Sequence, residues 1–177
     1  VAHVQPVRKA LGVSTIFNTL GPLLSPGRPE LQIMGIANPS QGPMIAEVFR
    51  ELGRRRALVV HGAGTDEIAT HGTTQVWELK DGEISHYELT PEELGIAKHE
   101  LSELAGGDGQ DNAEHVRAIF NGSGKPAHYD AVAASAGAMF YLGGTTASIA
   151  EGVAHAKGLI DSGDVDRWLR THEQAEY

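Results

Sequence analysis

Two short apolar runs flank an amphipathic stretch in the first half of the chain. Residues 31–36 and residues 57–60 are apolar runs bounded by turn-forming residues, which is typical of buried strands. Between them, apolar side chains recur at helical spacing over residues 42–52. Strand, helix and strand with short connections indicate a right-handed βαβ unit, whose two strands run parallel.

The next segment alternates apolar and polar side chains. Residues 73–79 and 83–89 are separated by Asp81-Gly82, a pair typical of a tight hairpin turn. The pattern predicts an antiparallel hairpin at about 73–89, attached to one edge of the sheet.

The remainder of the chain is predicted to be helical. Thr90, Pro91 and Glu93 match a helix start with a capping box. Further helices are predicted over 112–120, 129–142, 146–162 and 165–170, of which the alanine-rich second is expected to be buried nearly all round. The fold class is therefore α/β: one domain over residues 1–177, with a central, mostly parallel sheet flanked by helices and a helical C-terminal third.

The amino-acid composition excludes several classes of function. The 177 residues hold 14 Lys and Arg against 23 Asp and Glu, a net charge of −9 that disfavours nucleic acid and anionic membranes as partners. The absence of cysteine excludes disulfides and thiolate chemistry. No apolar run approaches the ~20 residues that cross a bilayer, and no signal segment opens the chain. These features predict a cytoplasmic protein.

The sequence His-Gly-Ala-Gly-Thr-Asp-Glu, residues 61–67, is the strongest candidate for chemistry. It follows a predicted parallel strand, where open α/β sheets bind ligands. Asp66 and Glu67 offer oxygen donors suited to Mg²⁺ with a substrate phosphate, although an acidic pair in a solvated loop is the alternative. His61 is a candidate general base, but a packed histidine at the strand end is favoured.

Other features give weaker signals. Residues 106–109 resemble a phosphate cradle, but Asp108 and Asp111 favour a capped helix N-terminus. The nine histidines show no metal-ligand spacing. The guanidinium of Arg8 could bind a carboxylate bidentately or belong to a surface arginine.

Two segments carry a family resemblance. Residues 7–26, VRKALGVSTIFNTLGPLLSP, resemble the hallmark segment of the anthranilate phosphoribosyltransferase family. The run from Val60 to Glu67 resembles the metal-binding loop of that family, at a similar distance downstream. Residues 106–108 and 130–138 fall where the family has counterparts, so the resemblance covers nearly the whole chain.

The resemblance implies transfer of a 5-phosphoribosyl group from phosphoribosyl pyrophosphate to the amine of anthranilate, with release of pyrophosphate, in tryptophan biosynthesis. It implies that Arg8 holds the anthranilate carboxylate and that Gly21 and Pro22 line the channel for this substrate. It also implies that Asp66 and Glu67 bind Mg²⁺ carrying the pyrophosphate. No catalytic acid, base or nucleophile is assigned, because the reaction depends on orientation and leaving-group stabilisation.

The sequence departs from the family in two respects. Ser14 stands where many relatives have a basic residue. The Gly-Thr-Gly-Gly-Asp loop for phosphoribosyl pyrophosphate and the Lys-His-Gly-Asn motif do not occur, and the helical N-terminal domain through which the family dimerises is missing. We therefore expect a fragment of a larger, two-domain, homodimeric transferase that is inactive by itself.

Two alternatives stay open at the level of sequence. One is a pyrimidine-nucleoside phosphorylase, which resembles the family in fold and also acts at C1′ of a ribose. The other is a non-catalytic relative that binds nucleic acid, for which Arg54-Arg55-Arg56 is the one basic cluster. Three arginines at a helix end more often complement the helix dipole or stay solvated.

Overall fold

The strand–helix–strand unit is present in the computed structural model, which describes residues 21, 23, 24 and 26–173. Strand β1 spans Leu31–Gly35, helix α1 Gly42–Glu51 and strand β2 Arg56–Gly62. The two strands pair in parallel, as the hydrophobic pattern predicts. A short 3-10 helix, Pro39–Gln41, leads into α1.

The predicted hairpin is confirmed and lies at one edge of the sheet. Strands β3 (Thr74–Lys80) and β4 (Glu83–Leu89) pair antiparallel, and the sheet order is β1-β2-β3-β4. Asp81 and Gly82 have φ angles of 53° and 82°, as a type I′ turn requires. The described sheet is mixed rather than mostly parallel, because β3 joins β2 antiparallel and the hairpin supplies the other antiparallel pairing.

The prediction of a helix beginning at Thr90 was wrong, although the hydrogen bonds of its capping box form. The Thr90 amide donates to Glu93 Oε2 at 2.8 Å, and the Glu93 amide donates to Thr90 Oγ1 at 3.3 Å. The turn ends at once at Gly95, whose φ is 69°. This left-handed residue lets Leu94 and Ile96 on either side of it both enter the core, which a continuing helix would not allow.

Four helices form the C-terminal part, as predicted. They are α2 (Gly109–Phe120), α3 (Pro126–Leu142), α4 (Ile149–Asp161) and α5 (Asp164–Glu173). Helix α3 is not buried all round: its buried residues recur at helical spacing, and Met139 is 62% exposed. Within the described residues, no helix has the length and apolar character needed to cross a membrane.

The sheet separates two apolar clusters. Alternate residues of β2 point to opposite faces, so Leu58 packs with α3 and α4 while Val59 packs with α1. Helices α3 and α4 approach closely because Gly137 and Gly152 face each other; a Cβ on Gly152 would overlap the carbonyl of Gly137. The sheet thus lies between α1 and the α3–α4 pair.

A buried carboxylate joins α3 to α4 and to the segment after the hairpin. Asp130 Oδ2 lies 2.8 Å from His99 Nε2 and accepts from the Ala97 amide at 3.3 Å. Asp130 Oδ1 lies 2.9 Å from Lys157 Nζ, which also donates to the Gly95 carbonyl at 3.0 Å. The charge of Asp130 is therefore satisfied by three groups on two other parts of the chain.

Candidate active site

A tight turn reverses the chain after β2. The Gly62 amide donates to the Thr65 carbonyl at 3.0 Å, and the Thr65 amide donates back at 2.9 Å. Ala63 and Gly64 between them have φ angles of 47° and 94°, so both central residues are left-handed, as in a type I′ turn. Residues 65–69 consequently fold back across the carboxyl ends of β1 and β2.

Asp66 and Glu67 emerge at this edge of the sheet with exposed side chains. The pKa of Glu67 is raised, first by partial burial and then by the negative charge of Asp66. The two carboxylates therefore lie close enough to repel each other, and a cation bound between them would relieve that repulsion.

The donor set at Asp66 and Glu67 fits Mg²⁺. Both side chains offer carboxylate oxygens, which are the ligands this ion prefers. In the part of the chain that the structure describes, no group of three or more His, Asp or Glu could enclose a metal. Mg²⁺ is commonly held by one or two carboxylates, with water and substrate phosphates as the other ligands, and this pair matches that pattern.

His61 is packed, as the sequence favours. It is only 9% exposed, and its Nδ1 lies 2.8 Å from the carbonyl oxygen of Ile36. A carbonyl only accepts, so Nδ1 carries the proton and donates. His61 therefore joins the ends of β2 and β1 beneath the acidic loop.

An apolar cavity of about 450 Å³ opens beside the acidic loop. Its walls come from the loop, the 3-10 helix Leu101–Leu104, and helices α2 and α3. The rings of His115 and His128 lie 4.8 Å apart in this wall. Burial, followed by the nearby His115 and Lys125, lowers the pKa of His128 below its ordinary value. The sequence did not predict this pair, because the spacing of residues along the chain does not show that α2 packs against α3.

The N-terminus of α2 is capped by side chains, as predicted. Asp108 Oδ1 accepts from the amides of Gln110 and Asp111 at 2.8 and 3.0 Å, and Asp111 Oδ2 accepts from the Asp108 amide at 3.2 Å. Asn112 holds the main chain of Gly107 through two hydrogen bonds of 3.1 Å. Carboxylates therefore occupy the position that an anion would take at this helix end.

The arginine cluster at residues 54–56 does not form a basic patch. Arg54 is 8% exposed, and the Arg56 side chain is 12% exposed. Each of the three has a partner, namely Gln32 for Arg54, Glu30 for Arg55 and Glu78 for Arg56. This pairing leaves little positive surface for a nucleic-acid backbone.

Of the other predicted site residues, the structure describes only Gly21. Gly21 is exposed, and no described atom lies within 4 Å of the place where its Cβ would be. Arg8 and Pro22 lie outside the described residues.

The sequence is similar to a known family over most of its length. The family described as glycosyl transferase family, a/b domain, matches residues 1–165. A relative from Corynebacterium aurimucosum named anthranilate phosphoribosyltransferase is 73% identical over 177 residues, which is 100% of this chain and 51% of the relative. The chain spans about half the length of the curated relatives it matches.

Solved structures give the same picture. Anthranilate phosphoribosyltransferase from Thermus thermophilus superposes with a TM-score of 0.86 and 41% identity, over 96% of this chain and 50% of that one. The Saccharomyces cerevisiae enzyme of the same name, in complex with PRPP and Mg, superposes with a TM-score of 0.82. It is 29% identical in sequence, over 96% of this chain and 49% of that one.

Proposed function

Because the chain belongs to the glycosyl transferase family, a/b domain, we propose that its protein transfers a 5-phosphoribosyl group from phosphoribosyl pyrophosphate to the amine of anthranilate, releasing pyrophosphate, in tryptophan biosynthesis. The placement of Asp66 and Glu67 carries the proposal: two exposed carboxylates lie at the carboxyl edge of a parallel strand pair, beside an apolar cavity of about 450 Å³. The relative of that name, 73% identical, supports it.

Asp66 and Glu67 would hold Mg²⁺. When bound, the ion supplies charge neutralisation at the pyrophosphate leaving group. The contribution of the chain is to place the two carboxylates: the turn at Ala63 and Gly64 returns them to the strand ends, where their side chains stay exposed. Partial burial and then the charge of Asp66 raise the pKa of Glu67, and a cation bound between the two carboxylates would relieve that repulsion.

Arg8, Gly21 and Pro22 would form the anthranilate site, as the family resemblance implies. A guanidinium binds a carboxylate through two parallel hydrogen bonds, which orients the amine toward C1′. The aniline nitrogen is neutral and attacks without prior deprotonation, so no general base is required of this chain. No covalent enzyme intermediate is required either.

We further propose that residues 1–177 are one domain of a two-domain transferase that acts as a homodimer in the cytoplasm. The family's phosphoribosyl pyrophosphate loop has no counterpart in these residues. The chain by itself therefore lacks that phosphate-binding loop and should not turn over substrate.

A chimera tests this proposal. The chain replaces the matching segment of the Corynebacterium aurimucosum relative, to which it is 73% identical. We expect the chimera to consume anthranilate when phosphoribosyl pyrophosphate and Mg²⁺ are present. The loss of anthranilate fluorescence measures this consumption. The 177-residue chain alone should consume none.

The same assay separates the alternatives. Turnover of anthranilate by the isolated chain would contradict the proposal that it is incomplete. A chimera that cleaves uridine with phosphate and leaves anthranilate untouched would favour the nucleoside phosphorylase instead.

Arg8→Ala in the chimera is expected to raise KM for anthranilate about tenfold or more, because a charged hydrogen bond contributes about 1.5–3 kcal/mol. The KM for phosphoribosyl pyrophosphate should stay unchanged. Arg55→Ala is the matched control, since the Arg55 side chain is 62% exposed and pairs with Glu30 at the surface. Equal anthranilate KM values for the two variants would remove Arg8 from the site.

A further inference from the structure

Two glycines at the ends of the parallel strands lie against the main chain of the acidic pair. Gly35 ends β1 and Gly62 ends β2. A Cβ on Gly35 would overlap the carbonyl oxygen of Asp66, and a Cβ on Gly62 would overlap the carbonyl oxygen of Glu67. Neither glycine has a positive φ, so close approach, and not backbone conformation, is what requires glycine at both positions.

We propose that Gly35 and Gly62 are positioning residues for a divalent cation at Asp66 and Glu67. We call these two residues the glycine cradle. By admitting the loop main chain into direct contact with the strand ends, the cradle makes the two carboxylates emerge side by side. The inference rests on the proposed function of the acidic pair.

The glycine cradle contacts the middle of the acidic loop, whereas hydrogen bonds hold the two ends of that loop. The turn bonds between Gly62 and Thr65 fix the start of the loop, and the Ala69 amide, which donates to Thr74 Oγ1 at 2.9 Å, fixes its end. Within the described residues, no hydrogen bond reaches the carboxylate of Asp66 or Glu67. Contact with the glycines therefore sets the height of the middle of the loop above the sheet.

The surface beneath the loop is rigid. The Ile36 amide donates to the Val60 carbonyl at 2.9 Å, extending the parallel ladder beyond β1. His61 Nδ1 donates to the Ile36 carbonyl at 2.8 Å, which ties the two strand ends together from the side chain as well. A Cβ added at Gly35 would therefore displace the loop rather than the strands.

Paramagnetic broadening by Mn²⁺ tests the cradle on the ¹⁵N-labelled 177-residue chain. In the unaltered chain, Mn²⁺ should broaden the amide signals of residues 66–68 at lower concentration than other signals. Asp66→Asn with Glu67→Gln should abolish this selectivity. Gly35→Ala should raise the Mn²⁺ concentration for half-broadening at least tenfold while the other signals stay dispersed.

Gly72→Ala is a milder second variant. A Cβ at Gly72 would lie 2.7 Å from the Cβ of Ala63, so it presses on the same loop through a side chain. The half-broadening concentration should rise about threefold. This variant decides the matter if Gly35→Ala does not fold.

Gly137→Ala is the matched control. Its Cβ would overlap the main chain of Val153 in α4, so it should destabilise the fold as much as Gly35→Ala but leave Mn²⁺ broadening unchanged. Gly158→Ala, where a Cβ meets no described atom, should change neither property.

The outcomes separate the two proposals. Broadening in the unaltered chain that does not depend on Asp66 and Glu67 would refute the cation role itself. Suppose that broadening depends on Asp66 and Glu67, but that Gly35→Ala and Gly72→Ala have the same half-broadening concentration as the unaltered chain. This result would refute the role of the cradle and leave the cation role standing. An equal loss in Gly137→Ala would also overturn the cradle, because general destabilisation would then explain the effect.

Discussion

Asp130→Ala lowers the free energy of unfolding by about 3–5 kcal/mol, the expected cost of removing one partner from a buried ion pair. The Asp130 side chain is 8% exposed and accepts hydrogen bonds from His99 and Lys157 at 2.8 and 2.9 Å. Alanine leaves the Lys157 ammonium beside a cavity and takes away the acceptor of the Ala97 amide. Urea unfolding followed by circular dichroism measures the loss.

The matched control for Asp130→Ala is Asp161→Ala in α4. Asp161 accepts from the Tyr129 hydroxyl at 2.9 Å, but it is exposed. Its removal should change the unfolding free energy by about 0.5 kcal/mol or less. A loss below about 1 kcal/mol for Asp130→Ala would show that the buried network does not stabilise the contact between α3 and α4.

Asp130 also predicts a pH dependence. Burial by itself would raise the pKa of Asp130, but hydrogen bonds from His99, Lys157 and the Ala97 amide, with the charge of Lys157, hold that pKa below its ordinary value of 3.8. The native state therefore binds this proton less readily than the unfolded state. The stabilisation is complete above the ordinary carboxyl pKa and is lost as pH falls through the lowered one.

Unfolding titrations between neutral pH and about pH 3 measure this effect, since the ordinary carboxyl pKa lies near ~4. The unaltered chain should lose more stability over that range than Asp130→Asn, whose amide does not titrate. Equal slopes for the two proteins would contradict the assignment.

Asp66→Asn with Glu67→Gln in the chimera is expected to lower kcat/KM about a hundredfold or more, the size of effect found when electrostatic stabilisation of developing charge is removed. The dependence of the rate on Mg²⁺ concentration should become shallow. Both side chains are exposed, and the amides remove a charge repulsion, so stability should be unchanged or slightly higher. Anthranilate consumption at a series of Mg²⁺ concentrations measures the loss.

Glu92→Gln with Glu93→Gln is the charge-matched control, because these residues form a second adjacent, exposed acidic pair. That pair follows β4, and Glu93 lines a different cavity from the one beside Asp66. The control should keep the Mg²⁺ dependence of the unaltered chimera. Identical Mg²⁺ titrations for all three proteins would remove Asp66 and Glu67 from the metal role.

Some of the fold followed from local pattern alone. The hairpin was predictable because alternation has the period of a strand and Asp81-Gly82 adopts the φ angles of its turn at little cost. The Thr90 helix was not, because a capping box satisfies only the first turn, while the buried positions of Leu94 and Ile96 require a reversal at Gly95.

The candidate site likewise has features that were predictable from the sequence and features that were not. The strand-end rule placed Asp66 and Glu67 at the carboxyl edge of the sheet from sequence, since β2 was identifiable as a buried parallel strand. The overlap that any side chain at Gly35 would make with Asp66 was not predictable, because it joins residues far apart in the chain. The facing rings of His115 and His128 depend in the same way on the packing of α2 against α3.

The sequence by itself determined the α/β class, the strand and hairpin positions and the acidic pair, because each depends on periodicity or on residues that are neighbours in the chain. Only the tertiary structure decided the mixed sheet, the contact of Gly35 and Gly62 with the acidic loop and the network around Asp130. Those features arise when distant segments compete for the same space and the same hydrogen-bonding partners, which no local pattern records.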